Sequence, residues 1–283
     1  MKSVLFFLVF VAALAAEPVR AGDTIRWGGA DNPPYHIFSG PGADTGYSDI
    51  VRIFFADRLT EYDHRKVKMT LARLMENARN GEDYCYCNLR RTPEREELFH
   101  YSDVTAVTLG PRLYVRKGSP ILDMAEHGTV SLESLLDSGR YAGVAETGRS
   151  FGPDVRRIFE KHKSSVLLQV CPDVAQKFEM VHNNRVDFFI EYPFVLQHYV
   201  KTAGKRQDLV PLGIAEHDPY VLSYVVCTKT DFGKRVIERI NEELRAAKGT
   251  PAHRELFETP ARDLDENSRR EYGELYGKFL EMN

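Results

Sequence analysis

Three arginines lie close together in the segment 84–102, which reads YCYCNLRRTPEREELFHYS. Arg90, Arg91 and Arg95 follow a short β-like run and occupy a stretch that contains turn-forming residues. A guanidinium group held at the end of a strand can bind a carboxylate through two parallel hydrogen bonds. The segment therefore indicates an anion site, although a solvated basic turn would have the same composition.

A second group of candidates is the segment 148–152, GRSFG, between a predicted strand and a predicted helix. G-x-S-x-G in this context is typical of the nucleophile elbow of serine hydrolases, and Asp187 and His217 follow in hydrolase order. Against that reading, no HGGG-type motif precedes the segment, and Arg149 and Phe151 are bulky for a strained turn. The alternative is a helix start whose backbone N–H groups bind an anion without a triad.

The elements that would position these residues form two α/β units in series. In the first unit, a predicted strand at 23–29 is followed by two helices and then by the arginine segment. The pattern starts again after a break at 117–120, with strands and helices alternating from 131 to 199. β-like runs near 104–109 and 218–224 would cross between the units, and the helical tail would return to the first. This organisation predicts an α/β protein with a ligand edge.

A diproline, Pro33-Pro34, follows the first predicted strand and holds the next residues in an extended loop. Tyr35 could therefore form one wall of a pocket, although a plain turn aromatic fits the same pattern.

The cysteine and histidine patterns are weak. Cys85 and Cys87 alternate along one predicted strand, point to the same face and are too close to pair normally. Cys171 and Cys227 lie in separate β-like runs and could form a disulfide, or could be buried thiols. None of the nine histidines has ligand spacing, so neither a metal nor another cofactor is expected.

The first 21 residues have the features of a secretory signal peptide: one lysine, an apolar run at 4–16 and small residues near a cut after Ala21. The apolar run is shorter than the roughly 20 residues that a membrane helix needs. We therefore expect a soluble, exported, periplasmic protein. The formal net charge of −3 argues against nucleic acid as a partner.

The order of short motifs along the chain resembles that of extracytoplasmic solute-binding proteins of family 3, the amino-acid type of periplasmic binding protein. The matching residues are Pro33, Pro34 and Tyr35; Gly46, Tyr47 and Asp49; Thr92, Glu94 and Arg95; Phe99, Tyr101 and Ser102; Ser131, Leu132, Leu135 and Leu136; Gly148 and Ser150; Arg185, Asp187 and Pro193. The resemblance implies a two-lobed clamp with two β-strand hinge crossings. Lobe 1 would comprise residues 22–107 and 222–283, and lobe 2 residues 108–221.

The resemblance also implies a role for each candidate. Arg95 would bind a ligand's α-carboxylate, helped by backbone N–H groups of Gly148, Arg149, Ser150 and Phe151. Glu191 would hold an amino group, and Tyr192 would form a wall opposite Tyr35.

The extra Arg90 and Arg91 depart from the family pattern, and suggest either a more negative ligand or a differently braced loop. The partners implied are a small carboxylate ligand and a membrane permease or receptor, with the protein a monomer. The alternative on the same scaffold is a periplasmic enzyme similar to cyclohexadienyl dehydratase, with Glu191 as general acid.

Overall fold

The computed structural model describes residues 23–146, 151–169, 173–206 and 208–282. The expected signal peptide, the site candidates Gly148, Arg149 and Ser150, and Cys171 lie outside the described residues.

Strands and helices alternate through most of the described chain. The strands are β1 (Thr24–Gly29), β2 (Asp63–Lys68), β3 (Cys85–Leu89), β4 (Phe99–Leu109), β5 (Arg112–Arg116), β6 (Thr129–Val130), β7 (Gly143–Glu146), β8 (Val166–Gln169), β9 (Phe188–Glu191), β10 (Leu209–Ile214) and β11 (Tyr220–Thr228). The helices are α1 (Tyr47–Ala56), α2 (Leu71–Arg79), α3 (Pro93–Leu98), α4 (Leu132–Asp137), α5 (Pro153–Lys161), α6 (Val174–His182), α7 (Pro193–Thr202), α8 (Asp231–Ala247), α9 (Pro251–Glu258), α10 (Glu266–Gly273) and α11 (Leu275–Glu281). Short 3-10 helices cover Pro120–Met124 and Thr259–Ala261.

The strands form two separate sheets, one in each lobe. The first has the order β2-β1-β3-β11-β4, with β1 parallel to β2 and β3, and β11 antiparallel to β3 and β4. The second has the order β6-β10-β5-β9-β7-β8, in which β7 is parallel to both β8 and β9. The two-lobed α/β fold predicted from the sequence is confirmed.

The chain passes between the lobes twice, after β4 and before β11. Both strands belong to the first sheet, which therefore extends to Leu109 and resumes at Tyr220. The Gly110 amide donates to the carbonyl of Pro219, with 2.7 Å between nitrogen and oxygen. A Cβ at Gly110 would lie 2.4 Å from the carbonyl oxygen of Asp218, so the close approach of the crossings requires glycine here.

The C-terminal tail contacts elements of both lobes. Helices α8 and α9 contact the first lobe. The segment beyond them also contacts the second lobe, because Asp263 binds Lys201 of α7 (2.6 Å) and Glu271 binds Arg112 of β5. Tyr272 is 2% exposed and its hydroxyl lies 2.7 Å from the carbonyl oxygen of Val107 in β4. The end of the tail thus buries its aromatic face at the crossing.

The Cys171–Cys227 disulfide, which the sequence left open beside buried thiols, is wrong. Cys227 pairs with Cys85, which lies directly opposite it where β11 runs antiparallel to β3. These two cysteines are 142 residues apart, so strand periodicity alone could not reveal that they are neighbours. Cys87 is a free buried thiol on the same face as Cys85, as the alternation predicted. Burial raises the pKa of the Cys87 thiol, which keeps it protonated.

No helix in the described part of the chain is both long and apolar enough to cross a membrane.

Candidate functional site

A cavity of about 650 Å³ lies where strands of the first sheet end. Parallel strands present their carboxyl ends to one edge, and ligands of open α/β sheets bind at that edge. The lining comes from β3 and the loops after β1, β2 and β3, from helices α1, α2 and α3, and from the crossing strands β4 and β11. The second lobe contributes Tyr192, which follows β9. Among the lining residues are Tyr35, Tyr86, Asn88, Arg90, Arg95 and Tyr192. We refer to this cavity as the cleft.

A second cavity, of about 420 Å³, lies under the tail and is lined by Phe257, Tyr272 and Tyr276 among others. None of the sequence-predicted site residues lines this second cavity. The cleft is therefore the candidate site.

Arg95 lies in the first turn of α3, which begins at Pro93 after the capping residue Thr92. Its Nη1 donates to the carbonyl of Arg90, with 3.0 Å between the atoms. Burial lowers the pKa of Arg95 below its ordinary value. Within the described residues no carboxylate forms an ion pair with this guanidinium. A partly buried cation in a cleft, balanced by no protein anion, is suited to an anionic ligand.

The other two arginines differ from each other. Arg90 lines the cleft, and its Nη1 donates to the hydroxyl of Tyr192, 2.8 Å away in the other lobe. Arg91 is exposed, pairs with Glu96 at 3.2 Å and lies over the ring of Tyr101 at 4.6 Å. It does not line the cleft. The structure thus brings Arg90 and Arg95 together and places Arg91 outside.

Aromatic rings form walls on both sides of the cleft. Tyr35 follows the cis Pro33-Pro34 bond and contacts Phe194 edge-on, with 5.1 Å between the ring centroids. Tyr192 is 4% exposed and stacks on Phe151 at 6.0 Å. Phe151 itself is buried and does not line the cleft, so it supports Tyr192 from behind.

Glu191 lies beneath the cleft and does not line it. The carboxylate is fully buried, pairs with the equally buried Lys177 at 2.7 Å and accepts a hydrogen bond from the Tyr192 amide. This differs from the expected contact with a ligand's amino group. Glu191 is the last residue of β9, and the side chain that reaches the cleft is the next one, Tyr192.

The hydrolase arrangement is not formed in the described residues. Asp187 accepts a hydrogen bond from the Ala142 amide at 2.8 Å, and Nδ1 of His217 lies 2.6 Å from the carbonyl oxygen of Asp218. Asp187 and His217 therefore bind backbone groups and do not pair with each other. Ser150, the third member, lies outside the described residues.

Sequence reasoning missed His36, which lines the cleft and is only 4% exposed. Its Nδ1 lies 3.2 Å from Oδ1 of Asp49, a fully buried carboxylate that Lys66 also contacts, at 2.8 Å. Burial acts to raise the pKa of Asp49, but hydrogen bonds from His36, the Ile37 amide and Lys66 outweigh it and hold the pKa low. The sequence signal was a histidine directly after the diproline loop, followed by Asp49 in the first turn of a helix.

Nothing in the described residues brings three or more histidine, cysteine or acidic side chains together as a metal site would require.

Comparison with known proteins shows what this fold is similar to. No family model and no curated protein sequence matches the chain. Among solved structures, one from a study of glutathione import through a cystine ABC importer of Streptococcus mutans aligns with a TM-score of 0.64 and 19% identity, covering 87% of this chain and 99% of that one. The unliganded open L-cystine solute receptor of Neisseria gonorrhoeae aligns with a TM-score of 0.56 and 17% identity, covering 87% and 96%.

A histidine kinase sensor domain with similarity to periplasmic binding proteins aligns with a TM-score of 0.63 and 14% identity, covering 83% of this chain and 95% of that one. At these low identities the structural alignments show the fold alone, which is the two-lobed periplasmic-binding-protein fold.

Proposed function

We propose that the protein is an exported solute-binding protein, of the family 3 type, that captures a small carboxylate-bearing solute between its two lobes. Arg95 carries this proposal, because it places a guanidinium without a carboxylate partner, within the described residues, on the wall of the cleft. A solute carboxylate would supply the missing anion.

Closure of the lobes around the solute follows from contacts on both sides of the cleft. Arg90 of the first lobe and Tyr192 of the second already meet across it, at 2.8 Å. A ligand that touches both lobes favours the closed state by the free energy of its additional contacts. The segment 148–151, which precedes α5 in the sequence, is proposed to add backbone donors from the second lobe.

The partner is a membrane protein that binds the closed conformation. The similar folds come from ABC import and from a histidine kinase sensor, so a permease and a receptor both fit. We propose that the protein acts as a monomer in the periplasm after removal of residues 1–21.

An enzyme is the less supported reading. The dehydratase alternative required Glu191 as a general acid near the substrate, and the structure buries that carboxylate beside Lys177. The hydrolase alternative required Asp187 and His217 to pair, and each instead binds a backbone group.

Two measurements test the proposed function. A thermal-shift screen over amino acids, dicarboxylates and aromatic acids should identify solutes that raise the melting temperature by mass action. Calorimetry with the strongest of them should show that Arg95→Ala weakens binding by about 2–4 kcal/mol, because the carboxylate loses a charged partner. A loss smaller than about threefold, less than 1 kcal/mol, would remove Arg95 from the site.

A further inference from the structure

Three residues that line the first-lobe side of the cleft each carry a buried polar atom without a hydrogen-bond partner within the described residues. These atoms are Nε2 of His36, the hydroxyl of Tyr47 and Oδ1 of Asn88. All three residues line the cleft, and the atoms themselves are shielded from solvent. Most buried polar groups in proteins have a partner, and leaving one without it costs about 1–3 kcal/mol. Such atoms also occur away from the cleft, for example in Tyr62, but their grouping on three residues that line one cavity wall points to a bound group that satisfies them.

The histidine is held in place by groups on its other sides. Asp49, which is fully buried, binds Nδ1, and the ring lies flat against Gly29. A Cβ at Gly29 would be 3.0 Å from Cε1, Nδ1 and Nε2 of that ring, so any other residue here would force the ring to shift by a few tenths of an ångström. A side chain fixed in this way presents its remaining nitrogen at little cost in conformational entropy.

Tyr47 and Asn88 are positioned by the start of α1. Tyr47 is the first residue of this helix and is 3% exposed. The adjacent residue, Ser48, accepts a hydrogen bond from Nδ2 of Asn88 at 2.9 Å, which leaves Oδ1 of the amide as an acceptor. Asn88 has a φ of 61°, in the left-handed region that asparagine tolerates.

The chemistry of the three atoms favours a ligand group that donates hydrogen bonds. When Nδ1–H of His36 donates to Asp49, Nε2 has a lone pair and accepts. The amide oxygen of Asn88 accepts only. Burial raises the pKa of Tyr47, so its hydroxyl stays protonated and can both accept and donate.

We propose that His36, Tyr47 and Asn88 form a polar subsite that binds an amino or hydroxyl group of the same ligand whose carboxylate binds Arg95. The inference rests on the proposed function and narrows the ligand to amino acids and hydroxy acids, as opposed to plain carboxylic acids. Asn88 and Arg90 are two residues apart, so their Cα atoms are separated by at most about 7 Å. One small molecule can therefore reach both the subsite and the arginines.

The test compares ligands that differ only in the donor group. Isothermal titration calorimetry should be done with glutamate, 2-hydroxyglutarate and glutarate, and with phenylalanine, 3-phenyllactate and 3-phenylpropionate. We expect the amino or hydroxy acid of at least one series to bind at least tenfold more tightly than its plain acid. In Tyr47→Phe and in Gly29→Ala, which displaces the His36 ring, that ratio should fall at least threefold.

Tyr62→Phe is the matched control, since Tyr62 is 5% exposed, its hydroxyl also has no partner within the described residues, and it does not line the cleft. It should leave the ratio unchanged. Tyr47→Phe should keep or raise the melting temperature of the free protein, because it removes a buried hydroxyl without a partner. This separates loss of the subsite from loss of the fold.

The outcomes distinguish failure of the polar subsite from failure of the proposed solute-binding function. If plain and substituted acids bind equally well and Arg95→Ala weakens all of them, the subsite is absent and the proposed function stands. If the ratio is the same in the wild type and in both cleft variants, the subsite is likewise overturned. If none of the six compounds binds at millimolar concentration, the proposed function fails, and the inference fails with it.

Discussion

Each lobe buries one carboxylate near the cleft, but the two are neutralised in different ways. Asp49 in the first lobe binds His36, which lines the cleft, and Lys66, which is partly exposed. Glu191 in the second lobe binds Lys177, and neither side chain has any exposed area. The first carboxylate is thus connected to the cleft wall through a histidine, whereas the second lies in the core beneath Tyr192.

This difference predicts that substitutions at the two buried carboxylates affect different properties of the protein. In the first lobe, a change to the buried charge should alter both stability and ligand selectivity, because His36 depends on it. In the second, the same kind of change should act mainly on stability. The first side of the cleft accordingly combines polar groups with the rings of Tyr35 and Tyr86, whereas the second side presents Tyr192, supported by Phe151.

The largest effect is expected in the second lobe. Lys177→Met leaves the Glu191 carboxylate buried without its lysine, and removing one partner of a buried pair costs about 3–5 kcal/mol. Urea unfolding should show this loss of stability. The double variant Lys177→Met/Glu191→Leu should recover most of it, because neither charged group of this pair is then left in the core. A single variant that loses less than about 1 kcal/mol would show that the pair is not what stabilises this lobe.

A smaller effect with a distinct pH dependence is expected in the first lobe. Asp49→Asn removes charge-assisted hydrogen bonds, and we expect a loss of about 1.5–3 kcal/mol near neutral pH. The pKa of Asp49 is held below its ordinary value of 3.8 in the folded protein. Its contribution to stability is therefore fully present above that value and is lost as the pH falls through the lower folded-state pKa.

Urea unfolding of the wild type and of Asp49→Asn, between neutral and acid pH, measures the contribution of the Asp49 carboxylate to stability. The difference in unfolding free energy between wild type and Asp49→Asn should be constant near neutrality and shrink in acid. A difference that instead grows on acidification would mean that folding disfavours the ionised carboxylate, and the proposed comparison between the lobes would be wrong.

Much of the fold was predictable because its buried elements carry clear patterns. The apolar spacing of α2 and the buried run of β9 are visible in the sequence. Strand β2, which reads DHRKVK, was missed because it pairs only with β1 within the described residues and its side chains are largely polar. Strand β10 was missed because it contains Pro211.

Residues of the candidate site could be predicted where their position after a strand brings them near the cleft. They could not be predicted where tertiary packing determines which side chain is buried. Arg90 and Arg95 follow the end of β3, which brings this segment to the cleft, but the same placement does not distinguish them from Arg91, which lies outside it. Glu191 and Tyr192 are adjacent, and only the packing of Lys177 determines which of the two is buried. The sequence pattern does not single out His36, because its partner Asp49 lies 13 positions later in a different element.

The smallest effect is expected for Arg91, which belongs to the same segment as Arg90 and Arg95 but faces away from the cleft. Its contacts are an exposed pair with Glu96 and the faces of Tyr101 and Tyr224. Interactions of this kind contribute about 1 kcal/mol or less. Arg91→Ala should therefore change stability slightly and leave ligand affinity within twofold, in the calorimetry that tests Arg95→Ala. If Arg91→Ala weakens binding as much as Arg95→Ala, the whole segment attracts the ligand through its summed charge, and the assignment of recognition to the groups lining the first-lobe wall is wrong.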